Sequence, residues 1–427
     1  MIKKNFFKSS FIKNILRLMT GTALAQFITI LISPILTRLY TPEDFSVLAI
    51  YTAVITILTV ISCLRFEIAI PIPNNDKDAF NLVILSLASN CIITLLTWLV
   101  ILLFSSQIVF VSGDRLDGYL WMFPISVFLA GCYSAFQYWS TRRRYFKKIA
   151  KTRISQSVSC GCAQVGLGIL GITPLGLLIG ALFQVGMGVL SLGRIFYKDL
   201  KENCWKTTIV DLIDTFKFYD KFPKYSTWEA LANSAGVQLP IIIIASFSFG
   251  NEEAGYLMLA MRLLSAPMSL IGGAVAQVFL SEAPLRFHDG NLRTFTITTI
   301  SSLAKIGLLP ILFVAISAPI LVPFIFGDSW SRTGILISWM APWYFMQFIV
   351  SPVSMTLHIM NAQKQALLLQ LFGLIFRVMS IFGGIYYYKN YVAEVYSLSG
   401  FVFYTIYLCV VLYTLRSNYK TPDRNIM

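Results

Sequence analysis

Charge is scarce in this sequence. Asp, Glu, Lys and Arg make up 13% of its 427 residues, about half their share in an ordinary soluble domain. Hydrophobic types fill 56% of the chain, and the mean hydropathy is +0.71. A water-soluble fold is excluded, because the polar surface it would need is missing. Histidine is nearly absent: His288 and His358 stand far apart, with no neighbours at metal-ligand spacing, so no metal site is expected. Six of the seven cysteines lie in or beside apolar runs and Cys204 in a polar segment, which implies no disulfide framework. No G-x-x-x-x-G-K-[ST] loop occurs, so there is no phosphate cradle of the nucleotide-hydrolysing kind. Gly166-Leu167-Gly168-Ile169-Leu170-Gly171 imitates a dinucleotide fingerprint, but it follows no strand and sits in an apolar run. Glycines there, like Gly176 and Gly180, serve close helix approach. Polar segments are too short for an ATPase or an external catalytic domain. No catalytic residue and no cofactor is expected.

What is present is a series of apolar runs. A bilayer crossing takes about 20 such residues in a helix, which satisfies its own backbone once water is gone. The runs predict an all-α polytopic membrane protein of about twelve transmembrane helices, at 14–36, 46–66, 79–104, 118–140, 154–172, 174–194, 226–249, 254–281, 296–320, 333–357, 367–388 and 392–415. Arg17 interrupts the apolar core a signal peptide would need, so the first run reads as a retained helix. The ninth continues through Pro319, Val322, Pro323 and Phe326, which suggests an interfacial elbow at its end.

The longest polar interruption, 196–225, divides the spans six and six. Two six-helix lobes around a central cavity are expected, at 1–195 and 226–427, joined by a linker with an interfacial helix. In that helix Ile209, Leu212, Ile213 and Phe216 share one face while Asp211, Asp214 and Lys217 take the other. The turn Thr41-Pro42-Glu43-Asp44-Phe45 is loosely matched by Gly250-Asn251-Glu252-Glu253-Ala254, as in parallel repeats of transporters.

The formal net charge is +14. With the N-terminus inside, 27 of the 34 Lys and Arg fall in cytoplasmic segments and four (Arg38, Arg115, Arg332 and Lys389) in outward ones. This asymmetry places both termini in the cytoplasm. It also makes Arg142-Arg143-Arg144 a topology anchor, and no nucleic-acid partner is expected. The remaining three cations, Arg262, Lys305 and Arg377, lie within spans. Each would cost about 2.5 to 3.5 kcal/mol at a helix centre, so each marks a candidate site. Arg262 shares a face with Ser265 and Ser269, Lys305 with Thr298 and Ser301, Arg377 with Gln370, Gly373 and Ser380. These polar stripes point inward. Arg17, Arg65 and Glu67 lie nearer the inner face, where long side chains snorkel cheaply. Together the cations suggest a cavity for an anionic substrate such as a phosphate headgroup. Glu229, with Glu67, is the candidate counter-charge or ion-coupling group, and Gln26 and Asn233 are candidate polar lining.

Leu18-Met19-Thr20-Gly21-Thr22-Ala23-Leu24-Ala25-Gln26, Pro34-Ile35-Leu36-Thr37-Arg38-Leu39-Tyr40-Thr41-Pro42-Glu43-Asp44-Phe45 and Arg65-Phe66-Glu67 carry a resemblance. So do Ala260-Met261-Arg262, Gln277-Val278-Phe279 and Phe326-Gly327-Asp328-Ser329-Trp330. The chain resembles the polysaccharide-unit flippases, the O-antigen translocases of the multidrug, oligosaccharidyl-lipid and polysaccharide exporter superfamily. Ser46 departs from the glycine expected after the Pro-Glu-Asp-Phe run. The resemblance implies alternating-access transport of undecaprenyl-pyrophosphate-linked oligosaccharide, for O-antigen or capsule, across the bacterial inner membrane without covalent chemistry. It implies membrane lipids, H+ or Na+ as coupling ion, and polysaccharide assembly proteins as partners. Two alternatives stay open: a multidrug exporter of the same superfamily, and a lipid-linked polysaccharide polymerase or ligase. The first would favour acidic cavity residues and the second a large outward loop.

Overall fold

The computed structural model describes residues 2–203, 207–247, 252–360 and 362–417. It is 88% helical, and no strand occurs among the described residues. In chain order the α-helices are α1 (Ile2–Leu39), α2 (Pro42–Ser62), α3 (Phe66–Ala69), α4 (Asp76–Val111), α5 (Met122–Arg142), α6 (Phe146–Ile169), α7 (Leu175–Gly186) and α8 (Val189–Asn203). They continue with α9 (Ile209–Phe218), α10 (Thr227–Phe247), α11 (Glu253–His288), α12 (Leu292–Phe326), α13 (Ser331–Val350), α14 (Thr356–Ile359), α15 (Gln363–Tyr387) and α16 (Val392–Ser417).

Each expected span coincides with a helix, the sixth with the pair α7 and α8. By length and apolarity, however, nine helices among the described residues qualify to cross a membrane, or ten if the bent pair Glu253–Ala266 and Leu270–Pro284 counts as one. The expected twelve is not reached on this measure. The shortfall lies in α5, which ends in Gln137, Tyr138, Trp139, Ser140, Thr141 and Arg142, and in α6, which carries Lys147, Lys148, Lys151 and Arg153 in its first turns. The elbow expected in the ninth span is also corrected. Helix α12 runs unbroken past Pro310, Pro319 and Pro323 and stops at Gly327, whose φ of 103° favours glycine. Pro319 cannot donate to the carbonyl four residues back. Ser338 Oγ of α13 donates to that Ala315 oxygen instead, at 2.5 Å.

The chain divides into two compact units, Met1–Ser246 and Phe247–Met427. In the first, Thr41 and Asp44 form a capping box that starts α2. Tyr40 donates to Gln164 O of α6 at 2.7 Å. Its ring lies where a side chain at Gly168 or Gly176 would stand, so those glycines exist for close approach. Asp76 pairs with Arg142 at 2.8 Å and Arg143 at 3.0 Å, and Trp139 Nε1 donates to Asp199 Oδ2 at 3.0 Å. These bonds tie α4, α5 and α8. The segment expected as a linker packs within this unit: α9 begins at a Thr208–Asp211 capping box, and Asn81 Nδ2 of α4 donates to Thr215 Oγ1 at 3.2 Å. Lys77 pairs with Asp211 at 3.0 Å. Asp211 is held down to about 2, first by the Thr208 backbone N–H and then by Lys77. The helix keeps an apolar exposed face, with Ile209 76% exposed.

In the second unit, Arg332 at the start of α13 reaches Glu253 at the start of α11 (2.7 Å) and Glu394 at the start of α16 (2.6 Å). Carboxylates suit helix N-termini, and one guanidinium bridges the two. Farther along, Trp343, Tyr344 and Tyr396 pack as tilted and edge-on rings. A second apolar cluster gathers Phe279, Leu292, Val350, Phe403 and Tyr407.

Candidate functional site

The clearest polar constellation lies in the first unit, where α2 gives way to α3. Leu64 and Arg65 are consecutive left-handed residues, at φ 49° and 63°. Such a conformation costs about 1 to 2 kcal/mol per residue, and strain of this kind concentrates at functional positions. The turn carries Glu67 inward, where it is 5% exposed. Its Oε2 has no hydrogen-bond partner. Burial pushes its carboxyl up to about 7, against the smaller opposing pulls of its own backbone N–H and of Arg65. Arg65 is half-buried, with Nε enclosed and without an acceptor.

Two residues that sequence reasoning did not single out belong to the same electrostatic neighbourhood of Tyr138. Tyr138 of α5 is within electrostatic reach of Glu67, Arg65 and Arg153, and Arg153 of α6 also holds an enclosed Nε without an acceptor. Arg153 counted only as one more basic residue beside the Arg142-Arg143-Arg144 cluster. The available signal was the helix itself: α6 buries Thr152, Gln156, Ser157 and Gln164, which a lipid-facing span has no reason to do.

The other candidates occupy separate settings. Gln26 is half-buried on α1, whose stripe is satisfied locally, Thr29 donating to Ala25 O and Ser33 to Thr29 O. Arg17 lies in α1, but its side chain is outside the described residues. On α10, Glu229 is half-buried and Asn233 exposed. In the second unit Arg262 is half-buried on α11 and Lys305 exposed on α12. Arg377 is 3% exposed. Its guanidinium carbon lies 4.4 Å from the Phe403 ring centre, 5.6 Å from Trp343 and 5.7 Å from Tyr404. The rings supply cation–π attraction in place of water. The inward polar stripe read around Arg377 is thus, on the structure, an aromatic enclosure. Among the described residues no group of three or more His, Cys, Asp or Glu is placed to hold a metal ion.

The sequence profile of a family described as polysaccharide biosynthesis protein matches residues 35–334. A search of curated protein sequences finds no match. Among solved structures, the chain is similar to a multidrug resistance MATE family transporter of the MOP superfamily in its inward-facing conformation. The TM-score is 0.65 at 14% identity, over 93% of this chain and 96% of that one. It is similar to a MOP superfamily transporter from Pyrococcus furiosus noted for the reverse polarity of its binding pocket, with TM-score 0.60, 14% identity and 96% of each chain covered. It is also similar to the lipid II flippase MurJ in an inward closed conformation, with TM-score 0.57, 16% identity, and 97% of this chain and 87% of that one covered. At these identities the likeness is one of fold alone, that of a multi-pass helical membrane protein.

Proposed function

The chain belongs to the polysaccharide biosynthesis protein family, and we propose that it is a flippase for undecaprenyl-pyrophosphate-linked oligosaccharide repeat units of O-antigen or capsule. It moves them from the cytoplasmic to the periplasmic leaflet of the bacterial inner membrane by alternating access. The observation that carries the proposal is a polysaccharide-biosynthesis family member built on a transporter fold, one that a lipid II flippase shares. In this reading the chemistry on the sugar precedes and follows the protein, whose own work is translocation.

Substrate recognition is divided by chemistry. Arg17 and Arg65 in the first unit, and Arg262 and Lys305 in the second, are each candidate donors to phosphate oxygens of the substrate, which accept from guanidinium and ammonium groups. Gln26 and Asn233 meet sugar hydroxyls. The enclosure of Arg377 favours a packing role over direct contact. Glu67 or Glu229 exchanges the coupling ion. Glu67 is the stronger candidate, because a carboxyl raised to about 7 changes charge near physiological pH. The basic stretches around Arg142–Arg153 and Arg194–Lys224 mark the cytoplasmic side. An exporter of cationic drugs is less well supported, because of the three buried acids among the described residues, Asp199 and Glu394 are already paired with Arg143 and Arg332, which leaves Glu67 alone without an ion pair.

A cell lacking the protein should accumulate the complete lipid-linked unit in the cytoplasmic leaflet, and re-expression should clear it. Arg262→Ala, produced at wild-type level, should clear it several-fold more slowly. A null strain that displays the unit on the periplasmic leaflet at the normal rate removes the proposal.

A further inference from the structure

The turn that joins α15 to α16 carries four of the chain's 20 tyrosines within six residues, Tyr386-Tyr387-Tyr388-Lys389-Asn390-Tyr391. Helix α15 closes at Tyr387, and the Tyr388 N–H donates to Gly384 O at 2.7 Å. A 3-10 turn over Lys389–Tyr391 follows, in which the Tyr391 N–H donates to Tyr388 O at 2.8 Å. The backbone is thus held while the rings are left outside, Tyr386, Tyr387, Tyr388 and Tyr391 being from 59% to 76% exposed. The six residues line one cleft of ≈400 Å³, at the small end of the range for ligand sites, about 300 to 1,000 Å³. Within it the Tyr386 and Tyr387 rings meet edge-on, at 84° with centres 4.7 Å apart. Tyrosine is ordinary where a helix leaves the bilayer, but there its ring faces the headgroups. Successive residues at a helix end point about 100° apart, so these rings cannot all face lipid. They share a cleft instead.

We propose that this cleft is a saccharide-binding site, occupied by a sugar ring of the lipid-linked unit as it leaves the protein. The identity of the occupant rests on the flippase reading, whereas the affinity for sugar rests on the cleft. A pyranose presents C–H bonds on the face of its ring and hydroxyls around its rim. The C–H groups suit the negative face of a phenol ring. The hydroxyls suit groups that both donate and accept, here the phenol oxygens and the Asn390 amide. Tyrosine supplies both at a low cost in conformational entropy, because its ring is rigid. No carboxylate lines the cleft, and Glu394, the nearest along the chain, is 5% exposed and paired with Arg332. A cationic ligand would therefore meet Lys389 and no counter-charge. On the topology proposed from the basic residues the turn faces the periplasm, the side on which the unit is released. An open cleft of this kind should bind with a Kd of about 1 mM, loosely enough for the sugar to move on.

The test is saturation-transfer NMR on the full-length protein in nanodiscs, with the oligosaccharide released by mild acid from the lipid-linked units of the cells that make the protein. With wild type, saturation of the aromatic protons should reach the C–H protons of the sugar, and maltotetraose should give a signal at least five-fold weaker. The double variant Tyr386→Leu, Tyr387→Leu keeps apolar bulk for a bilayer contact but removes two ring faces and two hydroxyls, so its signal should fall at least five-fold. Tyr387→Trp should keep the signal within about two-fold. A measurement independent of any variant is nitration of wild type by tetranitromethane, which saturating oligosaccharide should slow about three-fold at Tyr386 and Tyr387, as read by peptide mass. Wild type that gives no saturation transfer, or a signal that the double variant matches, overturns the cleft and leaves the flippase reading standing. Equal transfer to maltotetraose assigns the cleft to glycans at large and overturns the transported unit as its occupant. Transfer to the oligosaccharide by a protein that does not move the lipid-linked unit between leaflets in liposomes overturns the flippase reading instead.

Discussion

Glu67 owes its character to a turn two residues earlier. The left-handed pair Leu64 and Arg65 reverses the chain out of α2 and delivers the carboxyl into the packing between α3 and α5. Burial raises its pKa from 4.5 to about 7, so the folded chain keeps this proton at pH values where the unfolded chain has released it. The group therefore favours the folded state most at low pH. That contribution is lost as pH climbs from about 4.5 through about 7, on the order of 3 kcal/mol in all. Glu67→Gln should abolish it: between pH 5 and pH 8 the unfolding midpoint of wild type should fall relative to the variant, as followed by thermal denaturation in detergent. Parallel curves would show that the carboxyl is not the source. Arg65 and Glu67 could be read from the sequence because Arg-Phe-Glu breaks an apolar run. Tyr138 gave no such signal, and Arg153 gave only the polar residues Thr152, Gln156, Ser157 and Gln164 along its helix, because the approach of α5 to α6 is not encoded in any spacing along the chain.

At the scale of helices, two devices hold the second unit together. The first is Arg332, which joins the starting turns of α11, α13 and α16 through Glu253 and Glu394. Arg332→Leu strands two carboxylates, of which Glu394 is the more enclosed, and should cost about 3 kcal/mol. A midpoint within a degree of wild type would contradict this. The second is the close crossing of α12 and α13. A methyl at Gly334 would stand 2.6 Å from Ala318 O, so Gly334→Ala should force the helices apart and destabilise by about 1 to 3 kcal/mol. The same crossing explains the misreading of the ninth span. Pro319 and Pro323 look like helix breakers in isolation, but Ser338 satisfies the carbonyl that Pro319 frees, and the partner helix is invisible to a local reading.

At the scale of the molecule, apolar runs were enough to place the helices. They did not settle the number of crossings, because α5 ends in a polar turn and α6 opens with four basic residues. Within the segment 196–225, Asn81 and Lys77 bind α9 to the first unit. The distribution of the basic residues is the ground for proposing that both termini are cytoplasmic. Fused after the last residue, a fluorescent protein should be bright and alkaline phosphatase inactive, and the reverse pattern would invert the assigned topology.

Translocation itself is the most direct test of the proposed function. Purified protein in liposomes, given a fluorescent polyprenyl-diphosphate oligosaccharide in one leaflet, should equilibrate it between leaflets at least ten-fold faster than protein-free vesicles do. Cationic dyes in the same vesicles should stay where they were placed. Equal rates with and without the protein, or movement of the dye but not the lipid, would contradict it.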